Sequence, residues 1–483
     1  MKVVFCEPPV LASWEGQKQV PERLYGCSYE LYHFPDLANL YCAAVAEQAG
    51  HEVRLIDAVV ERLAPAAFFA RLADWRPDAV VLHSVLLSKP TDLEALRRLR
   101  EILPKAQLIV HGPEPTRVPE AYLLDENTVV IRGEPENSLR ELLAGRAAGG
   151  QSRRFGDDCE HLPIDGELVD VAALPFPARD HPDVAPFYRT LRNPKFSRGP
   201  FAPLMASRGC AFRCLFCVPN SISFAREMEY ARVFGKKPPV AVAPAARVVA
   251  EFTALAAAGY GAVAVVDDQF LWSKERTLEI CRGIKPLGLE WGMLSRADFL
   301  DDPEIVTAVR EAGCVSVDIG VESLSPATLE YVNKNLTVPQ VEKALAVCRS
   351  CGLKPKLNII IGASPAETPD DVRGTVRRLR DLEVEMAMFS IATPFKGTGF
   401  YDLAVNQGFL VDASDAVDPV KKSVISYPAP GMDRRTLERE NRRAYYAFYL
   451  HPKTLWRRLR AVRGPRELWR NLKTALRLFA DLK

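Results

Sequence analysis

Along the first third of the chain, short apolar runs alternate with stretches whose apolar positions recur every three or four residues. Val3-Val4-Phe5, Val53-Arg54-Leu55-Ile56, Ala79-Val80-Val81-Leu82, Leu108-Ile109-Val110 and Val129-Val130-Ile131 read as five buried strands. Leu37 to Ala49 and Thr91 to Leu103, between them, carry the helical period. This alternation predicts an α/β, doubly wound parallel sheet, on which ligands bind beyond the carboxyl ends of the strands. Those ends carry Pro8-Pro9, His83-Ser84, His111-Gly112-Pro113-Glu114-Pro115-Thr116 and Arg132-Gly133-Glu134-Pro135-Glu136. No GxGxxG follows the first strand, which argues against a Rossmann dinucleotide site.

Eight prolines from Pro163 to Pro203 interrupt the pattern and read as an extended connection. The alternation then resumes with Ala202-Pro203-Leu204-Met205, Ala262 to Val266, Glu290 to Leu294, Val315 to Ile319, Leu357 to Ile361 and Met386 to Ile391. Helical patterns such as Val248 to Ala257 and Val338 to Cys348 lie between these runs. Six βα units suit a partial (β/α)6 barrel with its function at the C-terminal strand ends. The expected division is a front domain over 1–148, a proline-rich linker over 149–195, a barrel over 196–425 and a basic helical C-terminal region over 426–483.

Composition narrows the class. Apolar residues make up 48% and charged residues 26% of the 483 positions, which excludes a wholly disordered, collagen-like or polytopic membrane chain. The best apolar window, Val248 to Val266, contains Glu251 and several glycines, so no spanning helix is expected. Met1 to Glu7 lacks the apolar core of a signal peptide, and eleven cysteines are an odd number for a disulfide framework. A reducing, cytoplasmic setting with thiols available for metal is the expectation. Net charge is only +2, yet Arg434 to Lys483 holds 15 Lys/Arg against 4 Asp/Glu.

The most specific chemistry lies directly after the first barrel strand, in Ser207-Arg208-Gly209-Cys210-Ala211-Phe212-Arg213-Cys214-Leu215-Phe216-Cys217. Three thiolates at a CxxxCxxC spacing can hold three corners of a [4Fe–4S] cubane and leave one iron open to an external ligand. The competing readings are three buried thiols, or a zinc site short of its fourth ligand, although zinc sites usually use two separated pairs. Cys348 and Cys351 have no such company and read as helix packing.

These residues resemble the cysteine loop of radical S-adenosylmethionine enzymes, and further motifs extend the resemblance in family order. Val265-Val266-Asp267-Asp268-Gln269-Phe270 is similar to the second-strand acidic motif that holds the methionyl amino group. Ser295-Arg296 resembles the third-strand arginine, and Gly320-Val321-Glu322-Ser323 the fourth-strand motif facing ribose or carboxylate. Ile361-Gly362-Ala363-Ser364-Pro365-Ala366-Glu367-Thr368 resembles the fifth-strand glycine motif near adenine. Thr393-Pro394-Phe395-Lys396-Gly397-Thr398 resembles the sixth-strand turn, with Lys396 in place of the usual proline. The resemblance implies that Cys210, Cys214 and Cys217 hold the cluster. It also implies that Phe216, Asp267, Asp268, Arg296, Glu322, Asn358, Gly362 and Thr393 face S-adenosylmethionine. Taken singly, Asp267, Arg296 and Glu322 also read as solvated strand-end charges.

A five-stranded domain ahead of the barrel resembles the cobalamin-binding subgroup of these enzymes. By that resemblance Ser84, Val85, Gly112, Thr116, Gly133 and Glu134 lie on the loops that hold the corrin. A D-x-H-x-x-G lower-ligand motif is absent, so His83 and His111 read as structural and cobalt is expected to have no protein histidine. A degenerate front domain used only for assembly is the competing reading. The implied chemistry is cleavage of S-adenosylmethionine by a cluster electron, hydrogen abstraction by a deoxyadenosyl radical, and modification of an unactivated carbon. Methyl transfer from cobalamin is the leading outcome, with ring formation or oxidative rearrangement as the alternative, and a non-catalytic cobalamin or redox sensor as the reading from another class. The implied partners are a small-molecule or lipid substrate and a flavodoxin- or ferredoxin-like reductant. The aromatic and basic tail reads as two short amphipathic helices around Gly464-Pro465, which either cap the barrel or lie peripherally on an anionic membrane. No nucleic-acid-binding module is recognised.

Overall fold

The computed structural model describes residues 1–12, 33–413 and 422–461, with Gly464, Trp469, Leu472, Lys473, Ala475 and Leu476 beyond them. The described residues form two compact units, one of 1–12, 33–211 and 219–268, the other of 212–218 and 269 onward. Cys210 thus belongs to the first unit and Cys214 and Cys217 to the second.

In the first unit, β1 (Lys2–Glu7), β2 (Glu52–Asp57), β3 (Ala79–His83), β4 (Gln107–His111) and β5 (Thr128–Ile131) are the five expected strands, paired in parallel in the order β2-β1-β3-β4-β5. Helices α1 (Leu37–Gln48), α2 (Pro65–Trp75), α3 (Lys89–Ile102), α4 (Pro113–Arg117) and α5 (Pro135–Leu143) follow them. Val4, Val80, Leu82, Leu96, Leu99, Val110 and Val130 share one core. Strands buried on both faces read as unbroken apolar runs, which is why β1 and β3 to β5 stand out in the sequence.

The sheet continues further than expected. Gln151–Phe155 (β6) and Asp158–His161 (β7) add an antiparallel hairpin beside β5, inside the segment expected to be linker. Their sequences, QSRRF and DCEH, are polar, with β7 at the edge of the sheet and β6 beside it, so they carry no apolar-run signature. The proline-rich segment is docked as well. After the short helix α6 (Ala185–Tyr188) begins, Tyr188 donates to Asp57 of β2, and Asp183 pairs with Arg54. The unit closes with β8 (Phe201–Leu204), β9 (Ser207–Arg208), α7 (Ser221–Phe234), β10 (Ala241–Val242), α8 (Ala245–Ala257) and β11 (Ala262–Val265). Here β8 pairs in parallel with β11, and β9 antiparallel with β10.

The second unit runs α9 (Lys274–Ile284), β12 (Glu290–Ser295), α10 (Pro303–Glu311), β13 (Cys314–Glu322), α11 (Pro326–Tyr331), α12 (Val338–Ser350), β14 (Pro355–Ile361), α13 (Pro369–Asp381) and β15 (Met386–Ile391). β12 to β15 pair in parallel in chain order, as repeated βα units require. After α14 (Gly399–Asn406), α15 (Arg434–Tyr449) buries Leu437, Ala444, Tyr445 and Phe448. The Tyr445 hydroxyl accepts from the Phe389 N–H and donates to its carbonyl, and Tyr449 does the same at Ala387. Two side chains thereby occupy the open hydrogen-bonding edge of β15.

The tail's first helices are α15 and α16 (Pro452–Ala461), which are separated just before Pro452; the break expected around Gly464-Pro465 lies largely outside the described residues. Proline is favoured at a helix start, and that sets the break. Most of the expected second tail helix, including Leu468 and Phe479, lies outside the described residues. Among the described residues, no helix is long and apolar enough to cross a membrane.

Candidate functional site

In the first unit, the approach to Cys210 is fixed by buried polar contacts. Asp267, just past β11, accepts from the Ala206 N–H and the Ser207 hydroxyl, each at 2.6 Å. Asp268 accepts from the backbone and side-chain amides of Asn220, at 2.8 and 3.1 Å, and burial raises its pKa above the usual carboxylate range. The expected amino-group ligands therefore also lock the end of β11 to both flanks of the cysteine loop. Cys210 is half-buried, and its carbonyl accepts from Lys237 at 3.1 Å.

Arg208, two residues before Cys210, meets carboxylates of the β5–α5 turn. Its guanidinium reaches Glu134 at 2.9 Å and Glu136 at 2.6 Å, beneath the ring face of Tyr41. Burial alone would lower its pKa, but Glu136 and Glu134 more than reverse this and keep it charged. Arg226 of α7 pairs with the second oxygen of Glu134 at 3.2 Å, and Arg132 pairs with Glu229 of α7 at 3.1 Å. Sequence reasoning missed Arg226 and Glu229 and the pairing of Arg208 with Glu134 and Glu136, because partners about 70 to 100 residues apart leave no local pattern.

The loops expected to hold the corrin are tightly tied together. The Ser84 hydroxyl is 2.9 Å from that of Tyr122, and the Val85 N–H donates to Ser88. Gly112 has φ +114°, and a Cβ there would lie 2.4 Å from the Ser84 carbonyl oxygen, so only glycine lets these strand ends approach. Thr116 donates to the Gly112 carbonyl and accepts from the Gly133 N–H. Glu134 stands in the ion pairs already described and accepts from the Val169 N–H. His83 bonds Asp36 at 2.8 Å, His111 bonds Asn39 at 3.0 Å, and the two rings stack. These contacts support structural roles for both histidines.

In the second unit, residues 331–335 hold the remainder of the cysteine loop. Leu215 N–H donates to the Val332 carbonyl, and the Asn333 side chain donates to that of Arg213. Arg296 lies over the Phe212 ring at 3.5 Å and donates to Asp298 and to the Lys334 and Asn335 carbonyls. Glu322 ends β13 in a left-handed conformation, φ +68°, after a bulge. It accepts from Lys334 at 2.9 Å. Burial opposes the Lys334 charge, but Glu322 and Cys214 outweigh it, so the ammonium persists 5.8 Å from the Phe216 ring. Lys334 was missed in the sequence for want of a recognisable motif.

Asn358 of β14 has a buried side-chain oxygen with no hydrogen-bond partner. Gly362 has φ +75°, donates to Glu367 at 2.5 Å and accepts from Tyr427 at 2.7 Å. Thr393 donates to the Ile391 carbonyl. Burial pushes Glu367 up to about 8. A carboxyl raised in the folded state stabilises fully below its ordinary value near 4.5, and that contribution is lost as pH rises through about 8. Wild type is therefore expected to lose on the order of a few kcal/mol of stability across this window. Glu367→Gln keeps an oxygen for Gly362 and should flatten that slope in denaturant titrations at several pH values.

The donor chemistry fits an iron–sulfur cluster. Cys210 and Cys214 are half-buried, Cys217 is exposed, none is in a disulfide, and the Cys217 N–H donates to the Cys214 carbonyl in a turn. Among the described residues, no three His, Cys, Asp or Glu side chains are gathered closely enough to hold a metal ion. The orphaned Asn358 oxygen fits an added hydrogen-bond donor such as an adenosine group. Cys348 is buried and Cys351 contacts Thr307 and Pro303 of the α10 region, so Cys348→Ala and Cys351→Ala should leave iron content unchanged by colorimetric assay.

Comparison with known proteins agrees with this reading. Residues 204–379 match the radical SAM superfamily and residues 30–143 the B12 binding domain. An uncharacterized methyltransferase of Pyrococcus horikoshii is 27% identical, covering 87% of this chain and 89% of its own. The hopanoid C-3 methylase of Methylococcus capsulatus is 26% identical, over 73% and 65%. The anaerobic magnesium-protoporphyrin IX monomethyl ester cyclase of Cereibacter sphaeroides is 25% identical, over 79% and 62%. In fold, the chain is similar to the radical S-adenosylmethionine methyltransferase TsrM from Kitasatospora setae, solved with cobalamin and a [4Fe-4S] cluster. That match has a TM-score of 0.65 at 18% identity, over 91% and 81% of the two chains.

Proposed function

We propose, from the premise that this chain belongs to the cobalamin-binding radical S-adenosylmethionine enzymes, that it methylates an unactivated carbon of a small-molecule or lipid substrate. The observation that carries the reading is one chain holding a B12 binding domain and, behind it, the complete series of cysteine-loop and strand-end motifs. A sensor would have no need of that series. When bound, the cluster, S-adenosylmethionine and cobalamin would together supply reductive C–S bond cleavage, hydrogen abstraction and a transferable methyl group.

The chain's own residues position and shield. Cys210, Cys214 and Cys217 hold the cluster, and Phe216, Asp267 and Asp268 shape its surroundings. Glu322 and Asn358 offer acceptors to S-adenosylmethionine, Lys334 and Arg296 keep positive charge beside the cysteine loop, and Gly362 and Thr393 form backbone at the strand ends. Ser84, Val85, Gly112, Thr116, Gly133 and Glu134 build the cobalamin loops. A flavodoxin- or ferredoxin-type protein supplies the electron.

Anaerobic turnover with S-adenosylmethionine deuterated in its methyl group, and substrates suggested by neighbouring genes, tests the reading by mass spectrometry. A product carrying the deuterated methyl is expected. Deoxyadenosine with an unlabelled product that has lost hydrogen would replace it with ring formation, the second reading, which the likeness to the cyclase supports.

The tail supports a membrane-borne substrate. Leu455, Trp456 and Leu459 of α16 are 43%, 58% and 60% exposed, and share the helix with Lys453, Arg457, Arg458 and Arg460. Trp469, Leu472 and Leu476 are also exposed. Each basic residue near an anionic surface contributes about 1 kcal/mol. The intact protein should co-sediment with phosphatidylglycerol vesicles at low salt and be released as the screening length falls to about 3 Å near 1 M. Indifference to anionic vesicles at low salt would leave a water-soluble substrate.

A further inference from the structure

We propose that Arg208 is a positioning residue that energetically couples occupancy of the cobalamin loops to assembly of the cysteine loop. The inference rests on the two cofactor assignments and concerns how one site senses the other. Its basis lies wholly within the first compact unit.

Arg208 and Gly209 lead directly into Cys210, and Gly133 and Glu134 follow directly from β5. A short chain of buried charges joins these turns. Arg208, Arg226 and Arg132 face Glu134, Glu136 and Glu229, and each of the six side chains is at least 94% buried. Charge is balanced, and the two members of each pair sit on different pieces of backbone. Glu134 bridges two arginines, one at the cysteine loop and one on α7. Arg226 also donates to the Pro239 carbonyl at 2.7 Å and lies against Gly209, whose φ is +88°. The same helix touches the cobalamin loops at two further points. Arg232 donates to the Thr116 carbonyl at 2.7 Å, and a Cβ on Gly133 would lie 3.2 Å from that of Glu229.

Burying ion pairs is seldom the cheapest way to stabilise a fold, since apolar residues of like volume do as well or better. What such a network does well is fix one arrangement. A small displacement of Gly133–Glu134 is poorly absorbed by solvent, because these charges are almost wholly buried. It must be passed to Arg208 and so to Cys210. Linkage makes the effect reciprocal: if assembly of the cluster alters cobalamin affinity, cobalamin alters cluster assembly by the same factor.

The test titrates hydroxocobalamin into full-length protein under anaerobic conditions, with and without reconstituted iron and sulfide, and follows binding by absorbance. The expected result for wild type is a difference in dissociation constant of about five-fold or more between the two forms. In Glu134→Gln, which keeps an oxygen for the Val169 N–H, the two constants should converge to within about two-fold. EPR of the reduced cluster should likewise respond to cobalamin in wild type and not in this variant. A merely structural role would weaken both constants together and leave their ratio unchanged. Equal constants in wild type, or an unchanged ratio in a folded Glu134→Gln protein, would overturn the proposal. Absence of cobalamin binding in both forms would instead overturn the cobalamin assignment beneath it.

Discussion

Replacing Cys210, Cys214 or Cys217 with alanine should remove about four irons per chain and bring deoxyadenosine formation to background. The reason is geometric as much as chemical. Three protein thiolates would leave one iron open to S-adenosylmethionine, so losing any of them is expected to empty the site. The loop is well built to hold a cluster. Its beginning is pinned by Asp267 through Ala206 and Ser207, and its later part by Val332, Asn333 and Arg296. Iron and sulfide analysis and product chromatography read the two effects separately. A triple alanine variant that still forms a cubane and makes deoxyadenosine at the wild-type rate would show the assignment to be wrong.

Arg208→Met should have the largest effect on stability. Methionine fills much of the same volume but leaves Glu136 and one oxygen of Glu134 buried without their guanidinium. Breaking such a pair from one side costs about 3–5 kcal/mol, well above the usual effect of a point substitution. The melting temperature should fall by on the order of 10 °C. Adding Glu136→Gln should recover part of the loss, because it removes the stranded charge. Equal melting temperatures for wild type and Arg208→Met would mean that water reaches this network after all.

The two parts of the chain differ in how much of them can be read from sequence. β1 and β3 to β5 are buried on both faces, so their apolar runs are conspicuous, and apolar positions also mark β2 and the later strands. The hairpin at Gln151–His161 escapes notice because QSRRF and DCEH are polar and charged, even where Gln151 and Ser152 are buried. The cysteine loop and strand-end motifs are legible because cofactor chemistry requires particular residues at fixed spacing. Their surroundings are not. Asp267 and Asp268 are visible as acids, but that they brace the cysteine loop depends on Ala206, Ser207 and Asn220. Glu134 follows Gly133 in a loop expected to hold a ligand, yet its partners Arg208 and Arg226 come from far along the chain. Lys334 acquires its place only because β13 bulges and turns Glu322 toward it.

The two tyrosine hydroxyls on β15 also have a bearing on how the protein is made. Tyr445 and Tyr449 cover that strand, but the ribosome synthesises them well after it. At about 5–20 residues per second, the strand waits for several seconds with its amide and carbonyl groups uncovered. During that interval a nascent chain offers neighbouring chains on the same message a template for strand addition. A transcript stopped before α15 would make the interval permanent, so such fragments should be chaperone clients and accumulate in inclusion bodies.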